Sequence, residues 1–406
     1  MLRYAQHRGS LATTDCPFLW QLTACVMLLS FFSEGAVASA PTPISEFDLP
    51  KEISAANSIG VDSLGNVWFA EKIGKNLTMF NPETEVFEVY PLPASWGDVG
   101  PSRITFSPQG DIWFIVRRWA ESVEQTNILG KFSLADNSYY RYRLSAQAVP
   151  EELLVDTDGI VWFLAPDENT LYRFNPETSK LKHYVIPTMN AYPRAISLDE
   201  KGDIWFAEAN ANQLGRFTPA TAVFNEYQIP TPFANPGEIA IDTQGQIWFV
   251  ELTANRIGVF YPDWERFDEA LLPTSRGMPN AIQADTNGNL WFLEYRGNKV
   301  GMFNPVEATF HEYDIPAFNS QPGALAIDHK RGVLWFTESN TEVKKLGRLS
   351  LKAALSAKDK PDQAASKYPD SLAAQPGMAR PAYLLLLLFT LVVTGIWYLR
   401  KGGLMK

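Results

Sequence analysis

Cysteine is nearly absent. The 406 residues hold two, Cys16 and Cys25, and both fall within the first 38. The rest of the chain can form no disulfide and offers no thiolate, which excludes covalent cross-links and cysteine chemistry there. Histidine is scarce too, at His7, His183, His311 and His329. An excess of positive charge is also missing: 35 Lys and Arg stand against 45 Asp and Glu, for a net charge of −10. Nonspecific nucleic-acid binding, which needs clustered cations, is therefore not expected.

Long apolar runs are confined to the two ends. Arg3 and Arg8 precede an apolar stretch over 18–32, and small residues follow at Ala36, Val37 and Ala38. That order reads as a secretory signal peptide, residues 1–38. Near the other end, 382–399 is an uncharged stretch of 18 residues followed by Arg400, Lys401 and Lys406. It is long enough for a transmembrane helix through a thin bilayer. The basic tail, 400–406, should then stay in the cytoplasm, leaving the rest of the chain on the periplasmic or extracellular side. Residues 352–381, rich in Ala, Lys, Asp, Ser and Pro without apolar period, read as a flexible linker.

What fills the middle is a repeat. A Trp-Phe pair recurs at Trp68, Trp113, Trp162, Trp205, Trp248, Trp291 and Trp335, every 43 to 49 residues. Most copies place an apolar strand and Asp-x-x-Gly before the pair, and a polar loop, a second apolar strand and an aromatic residue near Pro after it. A period in the low forties with four strand signals per unit predicts an all-β, seven-bladed β-propeller over 46–351. The last unit lacks its outer strand, and the N-terminal segment Glu46-Phe47-Asp48-Leu49-Pro50 copies the missing piece. That N-terminal strand is expected to complete the seventh blade and so remove two exposed sheet edges. The Trp-Phe pairs are assigned to packing between blades, with no chemistry.

Inner strands run away from one face, so the loop entering each blade and the loop after its second strand share that upper face. Around the ring, the residue after the entering Pro position reads Asn57, Ser102, Glu151, Arg194, Gly237, Asn280 and Gly323. After Trp-Phe comes a recurring carboxylate: Glu71, Glu208, Glu251, Glu294 and Glu338. These fit two readings: an acidic collar for a divalent cation such as Mg²⁺, or glutamates accepting hydrogen bonds from backbone N–H groups of adjacent loops. Two irregularities coincide in the second unit. Its entering loop is longer and contains Trp96, and seven extra residues after Trp113 bring Arg117, Arg118 and Trp119 into an upper loop. Aromatic and guanidinium groups on one rim suit a planar or anionic ligand, and Tyr192, Phe233, Tyr295 and Phe318 add to that rim. Candidates for ligand binding are thus Asn57, Trp96, Arg103, Arg117, Trp119, Glu151, Arg194 and Asn280. Candidates for metal binding are Glu208, Glu251, Glu294 and Glu338.

The repeated Pro-x-x-Ile-x-x-Asp-x-x-Gly-x-x-Trp-Phe-x-Glu-x-x-x-Asn-x-Ile-Gly-x-Phe, followed by Glu-Tyr-x-Ile-Pro, closely resembles the virginiamycin B (streptogramin) lyase family, best at 205–217 and 248–260. The resemblance covers 46–351 and implies a seven-bladed propeller that opens a cyclic depsipeptide by elimination, using Mg²⁺ with upper-face His and Glu. It implies a catalytic His where this chain has Asn280, and Glu-Pro-His where it has Gln321-Pro322-Gly323. Asn is no base at neutral pH and Gly has no side chain, so that chemistry is not expected here. His183 and His311 fall in outer strands and His329 in a turn at the opposite face, which makes them surface residues remote from the upper centre.

The expected function is therefore a membrane-anchored, outward-facing propeller that binds a small molecule or cell-envelope component on its upper face, without antibiotic lyase activity. The alternatives are a Mg²⁺-assisted lyase or lactone hydrolase of gluconolactonase-like type using the glutamate collar, and a purely structural envelope module.

Overall fold

The computed structural model describes residues 43–356, apart from 72, 120–122 and 146, together with 363 and 364. The expected signal peptide, the transmembrane stretch, the basic tail and nearly all of the linker lie outside the described residues. Among the described residues no helix is long and apolar enough to cross a membrane.

Seven antiparallel sheets follow one another as blades 1 to 7, over 56–91, 99–143, 152–185, 193–228, 236–271, 279–314 and 322–350. In blade 5 the strands Pro236–Ile241, Ile247–Glu251, Arg256–Tyr261 and Arg266–Leu271 pair in sequence order, with Ile239 opposite Phe249, Trp248 opposite Val259 and Phe260 opposite Phe267. Blade 7 takes its outer strand from the beginning of the domain. Ile44–Asp48 lies antiparallel to Lys345–Ser350, with Phe47 opposite Leu346. The expected closure is present. Packing continues a little past the last strand, where Leu351–Ser356 forms a short helix with Leu351 and Ala354 buried, and Tyr313 Oη donates to Ala354 O at 2.9 Å.

The Trp-Phe pairs explain why blades adhere. All seven tryptophans are at most 3% exposed, and each partner Phe is fully buried. A tryptophan packs on the third-strand Phe of the following blade: Trp68 on Phe132, Trp162 on Phe217, Trp205 on Phe260 and Trp248 on Phe303, at 5.8–6.0 Å between ring centres. The series closes with Trp335 of blade 7 on Phe80 of blade 1 at 5.6 Å. The Phe of each pair is instead covered by its own third strand. In five blades that strand carries a Gly there, and a Cβ on Gly258 would sit 2.2 Å from the Phe249 ring.

The Asp-x-x-Gly turn anchors the indole. Asp242 accepts from Trp248 Nε1 at 2.9 Å while its other oxygen receives Gln244 N and Gln246 N. The same indole bond recurs at Asp62, Asp156, Asp199 and Asp285. Blades 2 and 7 depart from it. Ser107 replaces Asp in blade 2, and the blade 7 turn has one extra residue, so that Asp328 binds Arg331 Nη1 at 3.0 Å and Trp335 Nε1 is left without a partner.

Candidate functional site

In six of the seven blades the inner strand starts with a register shift just after its entering residue, as between Pro236 and Ile239 or Pro279 and Ala281. A bulge at that point re-aims the following side chains, and here it turns them to the propeller axis. The result is a central cavity of about 840 Å³. All seven entering residues read off the sequence line it, from Asn57 through Gly323. So does the residue after each: Ser58, Arg103, Glu152, Ala195, Glu238, Ala281 and Ala324.

Charge is uneven around this ring. Blades 2 to 5 supply Arg103 and Arg117, then Glu151 and Glu152, then Arg194, then Glu238, whereas blades 6, 7 and 1 supply Asn280, Gly323 and Asn57. Arg103 Nε lies 2.6 Å from Glu152 Oε1, and Arg117 Nη2 is a looser 3.9 Å from Glu151 Oε1. The Glu152 carboxylate raises the Arg103 guanidinium. Arg117 goes the other way, lowered first by burial and further by Arg103 beside it, and its Nη1 is buried without a partner. Burial raises Glu152 against the pull of Arg103. Glu238 stands in the cavity, open to water yet ringed by protein. That enclosure and then the Glu152 carboxylate push it up to about 7, with Arg103 opposing. Arg194 rests over the Tyr192 ring at 5.7 Å. Asn280 Nδ2 donates to Pro322 O and Gly323 O at 3.0 and 3.1 Å, which fixes its amide and leaves a buried Oδ1 without a partner.

Six of the eight ligand candidates, Asn57, Arg103, Arg117, Glu151, Arg194 and Asn280, thus converge on one cavity. Trp96 does not. It ends a 3₁₀ turn, Ala94–Trp96, and stacks on Phe114 at 6.3 Å inside blade 2, so its role is packing. Trp119 ends the strand Ile112–Trp119 opposite Val123; its side chain lies outside the described residues. The insertion expected as an upper loop is largely a longer hairpin: Ile112–Trp119 and Val123–Ser133 stay paired, with Val99–Phe106 alongside. Extra residues continued the ladder because backbone pairing satisfied more donors than an open loop would. Of the other rim aromatics, Tyr192 lines the cavity, while Phe233 and Phe318 project into solvent, 88% and 92% exposed.

The recurring glutamates lie elsewhere. Glu208, Glu251, Glu294 and Glu338 end their second strands fully buried and are not among the cavity-lining residues. The structure does not bring them together. Among the described residues no three His, Cys, Asp or Glu side chains group to hold a metal ion, so this donor set does not fit Mg²⁺. Instead each meets a carboxylate of the outer strand. Glu269, beside Glu251, accepts from Thr231 N at 3.0 Å and Thr231 Oγ1 at 2.6 Å in the connection from the preceding blade. Glu226 and Glu312 grip Thr188 and Thr274 in the same way. With the outer carboxylate engaged by two threonine donors, the buried inner glutamate beside it is favoured in its neutral form. Burial first, and the adjacent carboxylate second, push Glu208 up to about 8 and Glu251 and Glu294 up to about 9. Glu338, beside Glu46 of the N-terminal strand, rises to about 8. The backbone-acceptor reading holds for Glu71, which takes Ser54 N at 3.1 Å and Asn76 Nδ2 at 2.6 Å.

No histidine lines the cavity. His183 and His311 are in the outer strands Lys180–Val185 and Thr309–Asp314, and His329 follows Asp328 in a turn. His311 is buried rather than on the surface, 8% exposed.

The model of the virginiamycin B lyase family matches residues 42–349, the whole ring and its closing strand. The chain belongs to the virginiamycin B lyase family. Among solved structures it is similar to virginiamycin B lyase from Staphylococcus aureus, at 26% identity over 76% of this chain and 99% of that one, with a TM-score of 0.67. A catalytically inactive His-to-Ala variant of that lyase with quinupristin aligns equally far at 26% identity and a TM-score of 0.66. A streptogramin B lyase aligns over 75% of this chain and 96% of its own, again at 26% and 0.66. No curated protein sequence matches the chain significantly.

Two cavity residues escaped the sequence reading as binding candidates, Glu152 and Glu238. Their signal was present. The second residue after the entering Pro is small in blades 1, 4, 6 and 7 and charged in blades 2, 3 and 5; a charge where siblings carry Ser or Ala marks a position with room and a reason to be polar.

Proposed function

We propose that this virginiamycin B lyase family member is a binding protein that holds a small polar molecule in its central cavity and does not open streptogramin rings. One observation supports it above the others: a cavity of about 840 Å³ lined by three arginines and three glutamates and by no histidine. Its size falls within the range of small-molecule sites, roughly 300–1,000 Å³. Elimination needs a base for the proton and an acid or metal for the leaving group. At the positions where the family resemblance implies histidine, this chain has an amide whose Nδ2 is spent on two carbonyls and a glycine. The metal alternative draws no support from glutamates buried in separate blades. The protein is exported by its first 38 residues and tethered by 382–399, so the cavity faces the periplasm or cell exterior, where it samples small molecules or envelope components.

Two measurements test this. Full-length protein incubated with a streptogramin B depsipeptide, with and without Mg²⁺, should leave the ring intact by mass spectrometry; ring opening overturns the reading. A thermal-shift screen of polar metabolites should give stabilisers of the wild type that fail on Arg117→Ala, since a ligand of the native state raises stability by mass action.

A further inference from the structure

We infer that the cavity is built for a zwitterion of the short-peptide class, its carboxylate set against Arg117 and Arg194 and its ammonium group against Glu238. This rests on the binding reading above and names the ligand's chemistry.

The cavity's charges sort into spent and unspent. Arg103 and Glu152, 2.6 Å apart, answer each other. Arg117 is only partly answered: Glu151 is a loose 3.9 Å away, one guanidinium nitrogen is buried without a partner, and the adjacent Arg103 opposes the Glu151 attraction. Arg194 rests on the Tyr192 ring and exerts a weak pull on Glu152, with no ion pair or hydrogen bond among the described residues. Glu238 is exposed within the cavity and has no hydrogen bond or ion pair among the described residues. Two guanidinium groups and one carboxyl therefore face the same cavity without a close ion pair of their own.

A ligand bearing one charge would answer half of this and aggravate the rest. An anion at Arg117 relieves that guanidinium but is repelled by Glu238, and a bare cation meets the reverse. A molecule carrying both charges relieves both, and in an enclosed site each attraction exceeds its value in bulk water. The neutral arc supplies the remaining clue. Asn280 presents a buried, unpartnered Oδ1, an acceptor suited to an amide N–H. A short peptide has all three features, and the volume admits one.

The test is calorimetric titration of the full-length protein with trialanine, N-acetyltrialanine, which keeps only the carboxylate, and trialanine amide, which keeps only the ammonium. Trialanine should bind at least tenfold more tightly than either capped form. Glu238→Gln should abolish the preference over N-acetyltrialanine alone, and Arg194→Gln the preference over trialanine amide alone. Capped forms that bind as well as trialanine overturn the inference while leaving the cavity a binding site. Silence from all three peptides also overturns it, and the metabolite screen then judges the binding reading separately.

Discussion

Glu238 and Glu251 belong to the same blade, and both carboxyls are held above their ordinary range, yet they serve opposite ends. Glu251 is sealed in the shell, fully buried beside Glu269, which grips the connection from the preceding blade through Thr231. Its counterparts in blades 4, 6 and 7 do the same or nearly so. Glu238 opens onto the axis at a position that is charged in blades 2, 3 and 5 and small in the other four, and its carboxyl makes no hydrogen bond or ion pair among the described residues. Recurrence thus marks architecture and irregularity marks the site: a group required at every blade junction repeats with the fold, whereas a ligand touches each blade differently.

Substitutions at each place sharpen that contrast. The shell should be costly to disturb. Trp248→Ala removes a buried indole lying on Phe303 and bonded to Asp242, and urea unfolding should show a loss of about 3–5 kcal/mol. Gly258→Ala drives a methyl into the Phe249 ring and should cost about 1–3 kcal/mol by the same assay. Arg103→Ala, at the boundary between shell and cavity, strips Glu152 of its partner. Because Arg103 is 40% exposed, cavity water softens the loss to about 1–2 kcal/mol.

The carboxyl pairs give the comparison a pH axis. Glu251 holds its proton up to about pH 9 when folded, against an unfolded value of 4.5. Between those limits the folded chain carries the extra proton and unfolding releases it, so stability is fullest below 4.5 and declines as pH rises toward 9. Glu251→Gln should flatten the fall by up to about 1.4 kcal/mol per pH unit, read from unfolding midpoints across that window. The smallest effect belongs to the cavity. Arg194→Gln should shift stability by less than about 0.5 kcal/mol while weakening trialanine binding. A large loss of stability instead would make Arg194 part of the shell and blur the distinction.

Much of this was legible in the chain. Seven Trp-Phe pairs gave the blade count, and Glu46 to Pro50 gave the closing strand, because strand alternation and interblade aromatic packing are periodic and local. The ring of entering residues was legible for the same reason. The glutamate collar was not. Position after Trp-Phe placed five carboxyls at equivalent points, but nothing local says whether such a point faces the axis or the neighbouring outer strand. Trp96 misled similarly: a tryptophan in a longer loop looks available until Phe114 and Tyr139 are found beneath it.

The sequence by itself determined the ring, its closure, and the absence of imidazole from the entering positions, since each depends on residues repeating at a fixed interval. Only the tertiary structure decided which charges are spent. Arg103 and Glu152 come from different blades, and Glu269 meets Thr231 of the connection between two blades. Whether a carboxyl holds a proton, a guanidinium or open water depends on side chains that meet only when the sheets stand around their common axis.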